Sequence, residues 1–134
     1  VSFGTDMTMS DYKRLEVWQK SRVLAREIYA ASGPFPRHEL FGLTHQIRSA
    51  AVSIASNIAE GAGRGSRRDR RKFMLVARGS AFEVETQLII AEDLGYLSAA
   101  KSRALRESTG EIARMLAGLI RYYTSNDQSP VTND

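Results

Sequence analysis

The stretch RHELFGLTHQIRSAAVSIASNIAEGA, residues 37–62, decides how the rest of the chain is read. Leu40, Leu43, Ile47, Ala51, Ile54 and Ile58 recur at three- and four-residue steps, the spacing of one helix face. The remaining faces are not wet. Between Gly42 and Ala59 the only formally charged residue is Arg48. Val52, Ala55 and Ala59 lie on one flank, and Gln46, Ser49, Ser53, Asn57 and Glu60 on another. A helix this poor in charge is covered on more than one side.

Working outward, the same period continues in both directions. Upstream, a helix is predicted from Asp11 to Ser32, with Val17, Trp18, Ser21, Leu24, Ala25 and Ile28 inward and Lys13, Glu16, Lys20 and Glu27 outward. It ends at Gly33-Pro34-Phe35-Pro36, where glycine can take a left-handed cap and proline blocks continuation. Downstream, Gly61, Gly63 and Gly65 break the quoted helix and Ser66 offers an N-cap for a third, running to Leu94 and closed by Gly95. Its core stripe is Phe73, Ala77, Ser80, Val84, Leu88 and Ala91; on the opposite face Leu75, Phe82 and Ile89 recur at seven-residue intervals. A fourth helix is predicted from Ser98 to Thr124, with Leu105, Ser108, Ile112, Met115, Leu116, Leu119 and Tyr123 inward.

Four long helices with short links predict an all-α, antiparallel up-down-up-down four-helix bundle. One domain over residues 11–124 is expected, with 1–10 and 125–134 as flexible termini. A solvated face should not carry large apolar residues in register, so the second and third helices are expected to build a homo-oligomer interface from Val52, Ala55, Asn57, Leu75, Phe82 and Ile89.

The chemistry of an enzyme is hard to assemble from these residues. There is no cysteine among the 134 residues, hence no thiolate ligand or nucleophile, and the composition suits a reducing cytoplasm. The two histidines, His38 and His45, do not follow a glutamate at the Glu-x-x-His spacing of a bundle di-metal site. The segment Gly61–Ser66 lacks the lysine and the preceding strand of a phosphate loop. No Ser-His-Asp set or paired acids can be composed. A non-enzymatic protein without metal or cofactor is expected. No apolar run reaches the length of a membrane span, so no membrane partner is expected.

Charge is the other signal. The net formal charge is +4, but residues 1–72 carry 13 Lys/Arg against 7 Asp/Glu, whereas 73–134 carry 6 against 8. The excess concentrates in Arg64, Arg67, Arg68, Arg70, Arg71 and Lys72, interrupted by a single acid, Asp69. Cations in the first turn of a helix oppose its dipole by about 0.3–1 kcal/mol each. Stability alone would not choose them; a phosphate or acidic partner would. The bland alternative is a solvated cluster that aids solubility. No aromatic residue interleaves the run, so RNA or DNA would be held by its phosphates, with steep salt dependence and little sequence preference.

Several motifs carry a family resemblance. They are Leu15-Glu16-Val17-Trp18; Phe35-Pro36 followed by Glu39-Leu40-Phe41-Gly42-Leu43-Thr44 and Gln46-Ile47-Arg48; Ser53-Ile54 followed by Asn57-Ile58-Ala59-Glu60-Gly61 and Gly63-Arg64; Ala77 with Gly79-Ser80; and Leu94-Gly95-Tyr96-Leu97. Over about Tyr12–Tyr123 the chain resembles the bacterial four-helix-bundle proteins encoded within intervening sequences of 23S ribosomal RNA genes. The resemblance implies an up-down bundle assembled as a cyclic homopentamer, with no established enzymatic activity. It also extends to accessory proteins of diversity-generating retroelements, which implies nucleic acid and a reverse transcriptase as partners. The chain departs from the family pattern at Ser49, where a second arginine beside Arg48 is common, and at Ala55, where proline is common. The two functional expectations are a nucleic-acid-binding oligomer and, alternatively, an oligomeric scaffold that docks a protein.

Overall fold

Proline, glycine and a few capping side chains set where each helix begins and stops. The computed structural model describes the backbone of residues 11–127 and the side chains of 11–124; the expectation of flexible termini otherwise falls outside the described residues. A 3-10 turn, Asp11–Arg14, leads into α1, Glu16–Ser32. A second 3-10 turn, Arg37–Glu39, precedes α2, Leu43–Ala62. α3 spans Arg67–Asp93 and α4 spans Ala99–Asp127.

The break after α1 differs from the expectation. Gly33 stays right-handed, with φ −55° and ψ −44°, so the chain is stopped by Pro34 and Pro36, which supply no N–H. Its last turn is instead tied from α2: Arg48 Nε donates to Ser32 Oγ at 2.8 Å and Arg48 Nη2 to the Tyr29 carbonyl at 3.2 Å, with the guanidinium over the Tyr29 ring. At the far end of α3, Gly95 is the one described residue with positive φ (77°). Tyr96 N–H donates to Ala91 O and Gly95 N–H to Glu92 O, both at 2.9 Å, the paired bonds of a Schellman cap.

α2 starts later than the hydrophobic spacing predicts. Gly42, at φ −109° and ψ −116°, interrupts the helical backbone. Leu40, expected in the core, is therefore 51% exposed, while Thr44, Ile47, Ala50, Ala51, Ile54 and Ile58 are buried. On α3 the Ser66 cap sets the phase: Ser66 Oγ accepts from Asp69 N–H at 3.1 Å. Met74 then takes the buried position expected for Phe73, which is half-buried, and Ala77, Ala81, Val84, Leu88 and Ala91 complete the stripe.

The helices pack in cyclic order, each on its sequence neighbours, with α1 and α4 closing the bundle. Their directions follow from specific contacts. Ser53 of α2 hydrogen-bonds Ser80 of α3, whereas Gly61, later in α2, lies against Phe73 and Met74, earlier in α3. Likewise Glu92 pairs with Arg106 at 3.6 Å, while Arg67 meets Tyr122 and Tyr123. Both helix pairs are antiparallel. Gly61 marks the closest approach: a Cβ there would lie 2.6 Å from Phe73 Cβ. The core is one cluster of aliphatic side chains from all four helices, closed at one end by Tyr123 and at the other by Phe35 and Leu97. No helix among the described residues is long and apolar enough to cross a membrane.

Candidate nucleic-acid interface

The basic run does not act as one surface. Helical geometry distributes it over three directions, because successive residues advance by 100°. Arg68, Arg71 and Lys72, together with Asp69 and Leu75, line an open groove of about 510 Å³ on the outer side of α3. Arg64 sits at the corner before α3, paired with Glu60 at 3.3 Å and stacked on the Phe73 ring, its Cζ 4.6 Å from the centroid.

Two members of the expected set belong elsewhere. Arg70 is only 4% exposed, and its Nε donates to the Arg64 carbonyl at 2.7 Å. Its guanidinium also reaches Tyr123, whose phenol is pushed up, chiefly by burial. Arg70 therefore fastens the α2–α3 corner to α4 and is withdrawn from any phosphate. Arg67 is half-buried over Tyr122 and Tyr123, its Cζ 4.3 and 5.4 Å from the two ring centroids. Its Nε and Nη2 are buried without a hydrogen-bond partner among the described residues, so the aromatic faces are what compensate its charge. The tyrosines lie more than fifty positions away, which is why the basic run alone could not reveal this.

The expected interface set also divides. Val52, Leu75, Phe82 and Ile89 are between 42% and 51% exposed, large apolar side chains left in solvent. Ala55 and Asn57 are half-buried. Asn57 Nδ2 donates to Ser53 O at 2.8 Å and Ser53 Oγ at 2.9 Å, so it organises the Ser53–Ser80 contact between α2 and α3 instead of facing outward. The open face of α2 is the row His45, Ser49, Val52, Ser56 and Glu60. The three- and four-residue steps of that row were readable in the sequence, but its small residues hid it among the flanks.

On α3 the corresponding open row is Arg68, Lys72, Leu75, Gly79, Phe82, Thr86, Ile89 and Asp93, all exposed. Its alternation of four- and three-residue steps is that of a coiled-coil seam. Two of the groove cations, Arg68 and Lys72, thus share one continuous stripe with the apolar residues.

The motif residues at the opposite end form a different kind of site. Glu39 Oε1 accepts the Leu43 N–H at 3.1 Å and Oε2 accepts the Tyr96 hydroxyl at 2.9 Å. The Tyr96 ring lies 5.5 Å from that of Phe35. The Leu43 N–H first, then the Tyr96 hydroxyl, hold the Glu39 carboxyl below its ordinary value; the same bond holds the Tyr96 phenol above its own. Gly42 makes room for this arrangement, since a Cβ there would lie 2.7 Å from Glu39 Oε1. Two distant motifs, around residues 35–43 and 94–97, therefore meet to cap α2. Among the described residues no group of three or more His, Asp or Glu is placed to hold a metal ion.

Comparison with known proteins agrees with this architecture. A solved structure similar to the chain is that of a protein with unknown function from the S23 ribosomal protein family of Bacteroides thetaiotaomicron VPI-5482. It is 25% identical with a TM-score of 0.71, and the match covers 78% of this chain and 97% of that one. No curated protein matches the chain. The family model described as 23S rRNA-intervening sequence protein matches residues 13–118, nearly the whole bundle, and the chain belongs to that family.

Proposed function

We propose that this protein is a non-enzymatic, homo-oligomeric helical bundle that binds RNA or DNA through its phosphates. The observation that carries the reading is the outer stripe of α3, where Leu75 joins the groove of Arg68, Arg71 and Lys72 to the exposed row of Phe82 and Ile89. Exposed apolar rows of this size mark interfaces, and each such side chain contributes about 1.5–3 kcal/mol when fully buried. Assembly, a pentamer by the family resemblance, would repeat the cation groove around the oligomer. Weak individual phosphate contacts would then act together.

Size exclusion with light-scattering mass, run with and without a structured RNA at low and high salt, tests this. The expected result is a stable oligomer that takes up RNA at low salt and releases it at high salt. A monomer at micromolar concentration, or an oligomer indifferent to RNA, would overturn the reading.

A second reading, a protein-docking scaffold, is favoured by the opposite end of the bundle. There Phe41 is 91% exposed and Leu40 and Leu94 about half exposed. Retention of one specific protein at high salt, lost on Phe41→Ser, is its expected signature.

A further inference from the structure

The open rows of α2 and α3 match each other in height, size and charge. The Ser53–Ser80 hydrogen bond and the Gly61–Phe73 contact fix the register of the two helices within one copy. Stepping a heptad at a time from these contacts, Val52 falls at the height of Phe82, Ala59 at that of Leu75 and His45 at that of Ile89. Between them Ser49 and Ser56 fall near Thr86 and Gly79. One row carries large apolar side chains, the other mostly small ones, and nothing lies within 4 Å of a Cβ built on Gly79. At the end of the α2 row stands Glu60, more than half exposed in its side chain. At the same end of the α3 row stand Lys72 and Arg68. A second copy with its bundle axis pointing the same way would set its α2 row on the α3 row of the first, large against small and acid against base. Two different faces meet in such a contact, so it propagates from copy to copy and forms a ring where the rotation closes.

That contact has a chemical consequence. Arg64 follows the C-terminal end of α2, level with the cation groove. We propose that the phosphate-binding site is shared between two copies: Arg68, Arg71 and Lys72 of one copy form its floor and Arg64 of the next closes it. The ligand class is a phosphodiester or polyphosphate. Asp69 also lines the groove, so one copy alone offers a mixed field. The second copy brings Arg64 together with its partner Glu60, so the shared site holds four cations against two acids, and the added guanidinium supplies donors from the side opposite the floor. The site is incomplete in a monomer, and a polyanion binding there strengthens assembly by reciprocal linkage. This inference rests on the proposed function and specifies where its phosphates sit.

Complementation between variants tests it, with inorganic tripolyphosphate as probe because it is too small to bridge separate sites. Two oligomers are made, one carrying Arg64→Ala and one carrying Arg68→Ala with Lys72→Ala; all three residues are exposed. By calorimetry at low salt each is expected to bind the probe about tenfold or more weakly than the wild type. After subunit exchange, confirmed by native mass spectrometry, wild-type affinity should return at about a quarter of the boundaries, the share in which two intact halves meet in a randomly mixed heterologous ring. A Phe82→Asp monomer, with helical content unchanged, should not bind the probe although all its cations remain. Mixed oligomers that regain nothing, or a Phe82→Asp monomer that binds like the wild type, would place the site within one copy; the shared site falls and the phosphate-binding reading stands. If the Arg68→Ala, Lys72→Ala oligomer binds tripolyphosphate and RNA as the wild type does, the groove is not the site and both fall.

Discussion

The two ends of the bundle are built to different rules. At the end formed by the α1–α2 and α3–α4 links, polar groups have partners within the chain: Glu39 takes the Leu43 N–H and the Tyr96 hydroxyl, and the Gly95 turn bonds back into α3. At the end formed by the α2–α3 link, cations outnumber acids, and the groove of Arg68, Arg71 and Lys72 opens to solvent. The first end holds much of the family signature, and its chemistry is that of a cap. The second end joins the Ser53–Gly61 and Gly63-Arg64 motif to a charge run, and its open groove is the candidate for phosphate binding. Family motifs therefore lie at both ends, and what separates the two is whether their polar groups are paired within the chain.

Four variants can break or sharpen that contrast. The largest effect is expected from Gly61→Val beside the basic corner. The added Cβ meets the Phe73 Cβ, which cannot swing aside because it is fixed to the backbone. The helices must part, at a cost of about 1–3 kcal/mol or more, read as a lowered denaturation midpoint. Next comes Arg70→Ala, which removes the donor to the Arg64 carbonyl and a neighbour of Tyr123. A loss of about 1–3 kcal/mol is expected from the groups left unsatisfied. An Arg70 variant that keeps full stability but loses RNA binding would erase the division within the basic run.

A smaller, pH-dependent effect is expected at the other end. The Glu39 carboxyl is held low by the Leu43 N–H and the Tyr96 hydroxyl. Its contribution is complete above the ordinary glutamate value and is lost as pH falls through the lowered folded value. Glu39→Gln should flatten that acid limb while leaving RNA binding alone; an unchanged limb in thermal melts against pH would mean the cap is not held by charge. Tyr96 works the other way, its raised phenol contributing below its ordinary value and losing that contribution as pH climbs through the folded one. The smallest stability effect belongs to Arg68→Ala with Lys72→Ala, within about 0.5 kcal/mol because both are exposed. Their signature should appear in binding, as a salt slope reduced by about 2. An unfolding shift as large as that of Arg70→Ala would show that the groove, too, is structural.

Much of the bundle was legible from residue order alone, because helix periodicity and punctuation are local. The core face of α1, most of that of α4, the Ser66 cap and the Gly95 stop depend on neighbours within a few positions and occur where the spacing placed them; on α4 Thr109 is buried where Ser108 was expected. The exposed Leu75, Phe82 and Ile89 were legible for the same reason. Leu40 was not, since one unusual backbone angle at Gly42 resets the helical phase. Gly33 was not, because the prolines beside it made a left-handed cap unnecessary.

What tertiary structure alone decided is how the six cations divide. Chemically they are nearly equivalent in the sequence, and only packing separates them. Tyr122 and Tyr123, brought back by α4, draw in Arg67 and Arg70, while the outer turns leave Arg68, Arg71 and Lys72 around a groove. The sequence by itself determined the four helices, their buried stripes and the presence of a basic corner, since those follow from local spacing. The choice of which charges face solvent required the long-range contacts of α4 beside the local Arg64 carbonyl, because a guanidinium is withdrawn from water only where aromatic faces and carbonyls replace what water supplied.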